Sequence, residues 1–170
     1  MRVYFIRHAI AVPSGAPGVL DDASRVLTQE GIAKMRQQAA SLARMDERLD
    51  GIWTSPYLRA QHTAEIVAQA FDKAPQPREL EALAPGGSYE AILDELATNA
   101  KLKAVALVGH EPDLSETICR LLTGTTHSFI ELKKGGMACV EIEDFGPPCS
   151  AVLRWLLTPR QLRNLRDNNR

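Results

Sequence analysis

The chain has 170 residues, of which 45% are hydrophobic, and we expect residues 1–170 to form a single domain with a core large enough to fold alone. Twenty Lys and Arg residues against twenty-one Asp and Glu residues give a net charge of −1. This balance excludes a protein that binds nucleic acid or anionic lipid through an overall basic field, so an anion site must be built locally.

The apolar runs of the chain are short. The longest, such as Ala104–Val108, fall far below the ~18 to 20 residues of a membrane-spanning helix. The first apolar stretch, Val3–Ile6, is shorter than the ~7 to 15 apolar residues of a secretory signal. Cys119, Cys139 and Cys149 form no CxxC pair and are interpreted as small hydrophobic residues in a reducing compartment. We expect a cytoplasmic protein with no membrane or nucleic-acid partner; the oligomeric state stays open.

Strand and helix signals alternate along the chain, which is typical of an α/β domain. The predicted elements in chain order are a strand Arg2–Ile6, a helix from the N-cap Thr28 to Met45, a strand Gly51–Thr54, a helix from Ser55-Pro56 to Phe71, a surface loop Pro75–Gly87, a helix from Ser88 to about Asn99, a strand Lys103–Gly109, a helix from Pro112, strands Met137–Glu143 and Ala151–Leu157, and a helix from Pro159. We predict a three-layer α/β/α domain in which helices cover both faces of a mainly parallel sheet.

Two histidines stand directly after predicted strands. His8 follows Arg2–Ile6 with Arg7 between them, and His110 follows Lys103–Gly109. In open α/β sheets this edge binds ligands. Arg59, in the first turn of the next predicted helix, adds a second guanidinium, and such planar forked donors suit phosphate oxygens. The sequence therefore predicts a phosphoryl-binding site at this edge.

Several segments carry a family resemblance. The chain resembles the histidine phosphatase superfamily, also called phosphoglycerate mutase-like, in Arg7-His8-Ala9, in the segment Ser55–Ala64 and in Gly109-His110. The branch that it most resembles is that of the short SixA-type phosphohistidine phosphatases, through Arg25-Val26-Leu27-Thr28 with Gly31, and Val108–Pro112 with Leu114-Ser115.

The resemblance implies a phosphoglycerate mutase-like fold and a phosphatase that needs no metal or other cofactor. His8 would be the nucleophile and form a phosphohistidine intermediate that water hydrolyses. Arg7, Arg59 and His110 would hold the phosphoryl oxygens, with Arg25 as a candidate fourth clamp. The implied substrate is phosphohistidine on a partner protein, such as a phosphotransfer domain.

The sequence departs from the family pattern at two positions. Ala9 stands where glycine is common, so we expect a negative φ there. His62 stands where the family usually has glutamine. Because it lies three residues after Arg59, we favour a role in orienting Arg59 over one in lining the pocket.

The proton donor to the leaving group is the weakest part of the pattern. Glu79 and Glu81 are candidates, Glu81 being the better placed, and the alternative is that both are solvated loop charges. A phosphorylated imidazole is a phosphoramidate whose leaving group needs less acid assistance than an alkoxide. A weak acid signal therefore favours phosphohistidine over a sugar phosphate as the substrate.

Other interpretations stay open. One is a broader phosphomonoesterase or phosphoglycerate mutase-like enzyme on small metabolites, and another is a non-catalytic phosphate-binding module, for which an intact His8 is not needed. Only about fifty residues separate Arg59 from His110, which indicates an open site. A metal site built on His8, His62, His110 and His127 is disfavoured, because no HExxH or CxxC spacing is present.

Two further groups of charged residues have both a functional and a purely structural interpretation. Asp21 and Asp22 either shape the mouth of the pocket or are turn residues. The predicted basic C-terminal helix could dock an acidic partner, but its spacing is also that of a solvated helix face, which we favour. Its basic residues are Arg160, Arg163, Arg166 and Arg170.

Overall fold

The computed structural model describes residues 1–45, 48–146 and 149–165, and strands and helices alternate along them as predicted. The strands of this part are β1 (Arg2–Arg7), β2 (Gly51–Thr54), β3 (Arg78–Glu79), β4 (Ala104–Gly109), β5 (Met137–Asp144) and β6 (Ser150–Leu157). Its helices are α1 (Gln29–Met45), α2 (Leu58–Gln69), α3 (Tyr89–Thr98), α4 (Asp113–Thr123) and α5 (Pro159–Asn164), with a short 3-10 helix at Glu81–Leu83.

The strands form one sheet in the order β3-β2-β4-β1-β5-β6. β1 pairs in parallel with β4, and β2 pairs in parallel with both β4 and β3. β5 is antiparallel to β1, and β6 is antiparallel to β5. The sheet is therefore mixed and mostly parallel, as predicted. Because parallel neighbours run in one direction, the carboxyl ends of β1, β2 and β4 lie at the same edge.

Strand β1 is buried on both faces because successive side chains of a strand point to opposite sides of the sheet. Tyr4 and Ile6 belong to a core with residues of α1, α2 and α5, whereas Val3 and Phe5 belong to a second core with residues of α3 and α4. The predicted three-layer α/β/α arrangement is confirmed. The continuous apolar run of β1 is the sequence signal of this double burial.

Helix α1 begins in close contact with the segment that follows β1. Thr28 caps the helix, since its Oγ1 accepts a hydrogen bond from the Gly31 amide at 2.9 Å. The same hydroxyl donates to the carbonyl of Ile10 at 3.2 Å. A Cβ atom on Gly31 would lie 2.2 Å from that carbonyl oxygen. Glycine at this position lets α1 approach the chain two residues after His8.

The start of α2 differs from the sequence prediction. Ser55-Pro56 predicts the first turn, but the helix begins at Leu58 with Tyr57 at the N-cap and no side-chain cap bond. The Ser55 hydroxyl instead lies 2.8 Å from Nε2 of His110. The predicted N-cap was wrong: the Ser55 hydroxyl accepts from the Tyr57 amide at 3.2 Å, but Tyr57 is itself the N-cap residue of the helix, and the hydroxyl also bonds to a residue at the neighbouring strand end. The helix also ends at Gln69, short of the predicted Phe71.

The predicted surface loop Pro75–Gly87 contains two short elements. β3 pairs with β2, and the amide of Leu80 donates to the carbonyl of Thr54 at 2.9 Å. The 3-10 helix follows at once. The predicted surface loop is therefore interrupted by regular structure at residues 78–79 and 81–83, and the pairing brings Glu81 to the carboxyl edge of the sheet.

Two sequence expectations concern cysteines and membranes. Cys119, Cys139 and Cys149 form no disulfide bond within the described residues; the first two are buried and the third is half-buried. Within the described residues, none of the helices has the length and apolar character that crossing a bilayer requires.

Candidate active site

His8 lies at the end of β1 and is 6% exposed. Its Nδ1 atom is 2.8 Å from the carbonyl oxygen of Ala9. A carbonyl only accepts hydrogen bonds, so this contact places the ring proton on Nδ1. Nε2 then carries a lone pair and is the nitrogen available to attack an electrophile.

The unprotonated nitrogen of His8 faces Arg59. Nε of Arg59 donates to His8 Nε2 at 3.2 Å, although 51 residues separate the two in sequence. Arg59 is 4% exposed, and its guanidinium lies 4.9 Å from the centroid of the Tyr57 ring. A buried guanidinium is held next to the candidate nucleophile, as the positions of His8 and Arg59 in the sequence predict.

Asp22 links Arg59 to Arg25. Its Oδ2 atom accepts from Arg59 Nη2 at 2.8 Å, its Oδ1 atom accepts from Arg25 Nη1 at 2.7 Å, and its backbone carbonyl accepts from Arg59 Nη1. Arg25 Nε also donates to the carbonyl of Val12 at 2.8 Å. The hydrogen bond from Arg25, with that from Arg59, lowers the pKa of Asp22. Arg25 and Arg59 thus lie side by side around one carboxylate, which sequence reasoning left as either a pocket or a turn residue.

Arg7 lies next to His8 and is fixed from the loop before β5. Its Nη1 atom donates to the carbonyl of Leu132 at 2.7 Å, and its Nε atom is buried with no hydrogen-bond partner among the described residues. The charge of Arg7 contributes to the lowered pKa of both His8 and His110. Arg7 therefore supplies positive charge to the two histidines from a fixed position.

His110 follows β4 and lies beside His8, with their ring centroids 5.1 Å apart. Its Nε2 atom is 2.8 Å from the hydroxyl of Ser55, which also accepts from the amide of Tyr57 at 3.2 Å. The Tyr57 ring packs edge-on against His110 at 5.2 Å. The carboxyl ends of β1, β2 and β4 thus bring His8, Ser55 and His110 together, as their pairing register requires.

Both site histidines are neutral at pH 7. Burial lowers the pKa of His8 to about 4, and the charges of Arg59 and Arg7 act in the same direction, while the hydrogen bond to Ala9 opposes them. Burial also lowers the pKa of His110 to about 3, with the neighbouring His8 and Arg59 as further causes. A neutral His8 already has an unprotonated Nε2, so it needs no separate base to remove a proton before attack.

Ala9 fits the backbone at the position where the family often has glycine. No residue other than glycine has a positive φ in the described part of the chain, so the expected negative φ of Ala9 is confirmed. The Ala9 amide donates to Thr63 Oγ1 at 3.0 Å, and that hydroxyl donates to the carbonyl of Arg59 at 2.7 Å. Buried Thr63 therefore couples the backbone beside His8 to the turn that bears Arg59. Thr63 lies in the segment Ser55–Ala64 that carries the family resemblance, but the sequence assigned it no role of its own.

His62 lies half-buried on α2, and the structure records no hydrogen bond or ring contact between it and Arg59 within the described residues. The contacts that orient Arg59 come from Asp22 and Tyr57 instead. The role of His62 in orienting Arg59 stays a prediction that no recorded contact supports.

The two predicted acids lie at the correct edge but are exposed. Glu79 accepts from Nε2 of Gln61 at 2.6 Å, and Glu81 is in the 3-10 helix with an exposed side chain. Glu111, next to His110, is a third carboxyl, whose Oε1 is buried and unpaired among the described residues. Burial raises the pKa of Glu111, against the opposing hydrogen bond from Ser115 and the charge of Arg7. A raised pKa is what a proton donor requires.

The predicted nucleophile His8 thus lies together with Arg7, Arg59 and His110, three of the residues predicted to bind the phosphoryl group. The fourth, Arg25, is joined to Arg59 through Asp22. Among the described residues, no group of three or more His, Cys, Asp and Glu side chains lies where it could hold a metal ion. Arginine donors and neutral imidazoles around an unprotonated nitrogen suit transfer of a phosphoryl group.

Comparison with known proteins agrees with this chemistry. A model of the histidine phosphatase superfamily (branch 1) matches residues 3–84. The phosphohistidine phosphatase SixA homolog of Haemophilus influenzae is 30% identical over 132 residues, which are 71% of this chain and 77% of that protein. Phosphohistidine phosphatase SixA of Escherichia coli strain K12 is 26% identical over 166 residues, covering 96% of this chain and 97% of that protein.

A solved structure supports the fold. The protein histidine phosphatase SixA complexed with tungstate superposes with a TM-score of 0.83 at 24% identity, over 95% of this chain and 99% of that one. The chain therefore belongs to the histidine phosphatase superfamily, in branch 1, and SixA phosphohistidine phosphatases are among its relatives.

Proposed function

We propose that this chain is a metal-independent phosphatase that removes the phosphoryl group from a phosphohistidine on a partner protein, through a covalent phospho-His8 intermediate. The observation that carries the proposal is the tautomer of His8. Its Nδ1 proton is hydrogen-bonded to the Ala9 carbonyl, and its unprotonated Nε2 accepts a hydrogen bond from the buried Arg59 in a ring that is neutral at pH 7.

The first step is attack of His8 Nε2 on phosphorus. A P–N bond to His8 forms, the P–N bond to the substrate imidazole breaks, and the leaving nitrogen takes up a proton from water. Arg7 and Arg59, with Arg25 as a candidate further clamp, bind the phosphoryl oxygens, and neutral His110 donates a hydrogen bond. Fixed positive charge stabilises the transferring group because it is already in place before the reaction.

The second step returns the enzyme to its resting state. Water attacks phosphorus, the bond to Nε2 breaks, and inorganic phosphate leaves. The Ala9 carbonyl favours retention of the proton on Nδ1, so the phosphorylated ring stays an imidazolium. A cationic ring leaves phosphorus as a neutral imidazole, whereas a ring that had lost its Nδ1 proton would have to leave as an anion. The cationic ring is therefore the better leaving group, and hydrolysis is favoured over accumulation of phosphoenzyme.

Phosphohistidine is favoured as the substrate because the acid side of the site is weak. Glu79 and Glu81 are exposed, and Glu111, although buried at Oε1, is close to the positive charge of Arg7. A phosphoramidate leaving group needs little acid assistance, whereas an alkoxide depends on it. The SixA relatives, named phosphohistidine phosphatases, support the same substrate class.

The alternative is a broader phosphomonoesterase, which the raised pKa of Glu111 favours. The test is to compare turnover of a phosphohistidine peptide, a phosphoserine peptide and a phosphorylated sugar with a metal chelator present throughout. We expect the phosphohistidine peptide to have the highest kcat/KM, unchanged by the chelator. Preference for the phosphorylated sugar assigns the alternative function, and loss of turnover on chelation contradicts the metal-independent mechanism.

A further inference from the structure

A cleft with a volume of about 630 Å³ lies beside the candidate active site and includes Arg7 in its lining. The chain after β1, the first turns of α1, the loop before β5 and the start of α5 form its walls. Among the described lining residues, a single carboxylate, Glu131, accompanies six positively charged side chains: Arg7, Lys34, Lys133, Lys134, Arg160 and Arg163. We name it the basic cleft. In a chain with a net charge of −1, it is a local concentration of positive charge.

Most of these cations are unpaired in the part of the chain that the structure describes. Within the described residues, no ion pair or side-chain hydrogen bond is formed by Lys133, Lys134, Arg160 or Arg163. Lys34, by contrast, pairs with Glu30. Neighbouring unpaired cations repel one another, and an anionic ligand would relieve that repulsion. The basic cleft is therefore suited to bind a group with several negative charges.

The basic cleft is joined directly to the candidate nucleophile. The amide of Gly135 donates to the carbonyls of both Arg7 and His8, at 3.1 Å each. This turn carries Lys133 and Lys134, so the two lysines are fixed to the backbone of the active site. Because an extended chain spans ~3.3 to 3.6 Å per residue, a segment of few residues reaches from the phosphoryl site into the basic cleft.

We propose that the basic cleft docks an acidic segment of the phosphohistidine-bearing protein, close to its phosphorylated histidine. This inference rests on the proposed function, since a protein substrate held at His8 must place neighbouring chain near Arg7. Sequence spacing favours a solvated face for Arg160 and Arg163. Both line the basic cleft together with Lys133 and Lys134, and we therefore include them in the proposed docking surface. Arg166 and Arg170 lie outside the described residues.

The test uses two synthetic peptides that carry one chemically phosphorylated histidine. In one, the histidine is flanked on both sides by Asp and Glu; in the other, by Asn and Gln. The double variant Arg160→Gln/Arg163→Gln removes two cations of the basic cleft. The matched control, Lys101→Gln/Lys103→Gln, removes the same amount of charge from two exposed lysines. These lysines precede β4, whereas the active-site His110 follows it at the other end of the strand.

We expect the unmodified protein to have a KM about tenfold lower for the acidic peptide than for the amide peptide at low salt. Arg160→Gln/Arg163→Gln should reduce this difference to about twofold, with kcat and the turnover of free phosphohistidine unchanged, while the control pair should preserve it. A thermal midpoint equal to that of the unmodified protein shows that the variant is folded. Lys133→Gln changes a different wall of the basic cleft, and we expect it to reduce the KM difference between the two peptides as well.

Each contrary outcome has a distinct meaning. Equal KM values for the two peptides in the unmodified protein, or an equal loss in the control pair, overturn the docking proposal while leaving the proposed function intact. Loss of free phosphohistidine turnover in Arg160→Gln/Arg163→Gln also overturns it, because the basic cleft would then belong to the phosphoryl site. Absence of free phosphohistidine turnover in the unmodified protein instead contradicts the proposed function.

Discussion

Nε of Arg59 lies 3.2 Å from Nε2 of His8, across 51 residues of sequence, and donates its hydrogen to the nitrogen that we propose as the nucleophile. The contact is compatible with a resting enzyme only if His8 is neutral, because an Nε2 proton would face a guanidinium. The position of Arg59, the protonation state of His8 and the local positive charge therefore depend on one another in this contact.

The protonation state of His8 can be read directly by NMR. With a pKa lowered to about 4 by burial and by the charges of Arg59 and Arg7, His8 should be neutral at pH 5.5. Its ring nitrogen shifts should show a proton on Nδ1 and none on Nε2, as the bond to the Ala9 carbonyl requires. A titration of the His8 ring centred near 6.5, or a proton on Nε2, would contradict the proposed mechanism.

Asp22 should compete with oxyanions for the arginines. Its carboxylate accepts hydrogen bonds from Arg59 and Arg25, the groups proposed to bind phosphoryl oxygens. Asp22→Asn should lower the inhibition constant of tungstate about fivefold, since a half-exposed ion pair of this kind is worth ~1 kcal/mol.

The matched control for that variant is Asp21→Asn, in which the amide oxygen can still accept from the Ser24 amide. We expect no change in tungstate inhibition for this variant. An inhibition constant that rises in Asp22→Asn would mean that Asp22 orients Arg59 for the ligand more than it competes with it.

Stability should fall as the solution is acidified. In the unfolded chain a histidine titrates near 6.5, whereas the folded pKa values of His8 and His110 are about 4 and about 3. Between these values the unfolded chain binds more protons, so the free energy of unfolding decreases as the pH drops below 6.5. Each of the two histidines should lower the free energy of unfolding at pH 5 by ~2 kcal/mol relative to its value at pH 8.

Denaturant unfolding at the two pH values measures this loss. His110→Asn removes one of the two groups and should show a smaller loss between pH 8 and pH 5, while the same change at exposed His127 should leave it as in the unmodified protein. A free energy of unfolding that is independent of pH over this range would show that neither histidine is buried in neutral form.

Turnover of a phosphoester by carboxyl variants should identify the proton donor. Because the pKa of Glu111 is raised by burial and Glu81 is exposed, Glu111→Gln should lower kcat on a phosphoserine peptide about tenfold or more, with a smaller effect on a phosphohistidine peptide. Glu81→Gln, the donor that sequence reasoning favours, should have less effect. The reverse order would assign the role to Glu81, and equal small effects would mean that neither carboxyl is the donor.

The fold and the centre of the site could be predicted from the sequence because both depend on local patterns. The double burial of β1 shows as a continuous apolar run, and His8 and His110 stand where parallel strands end, so their proximity follows from topology. The hydroxyl of Ser55 was assigned to a helix cap because capping is a local rule, whereas its bond to His110 depends on the pairing of β2 with β4.

The remaining features depend on contacts distant in sequence. Asp22 reaches Arg59 across 37 residues, and the basic cleft exists only because α5 packs against α1 near the turn at Lys134. No periodicity or motif encodes such placements. For the same reason the sequence left open whether Glu81 is a proton donor or a solvated loop charge.

Trapping of the intermediate tests the central claim most directly. The protein is mixed with a phosphohistidine peptide, quenched within the first turnover under alkaline conditions that preserve phosphohistidine, and digested for mass spectrometry. We predict one phosphoryl group on Nε2 of His8, and in His8→Asn neither phosphoenzyme nor turnover. Full turnover by His8→Asn, or a phosphoryl group on another residue of the unmodified protein, would contradict the account.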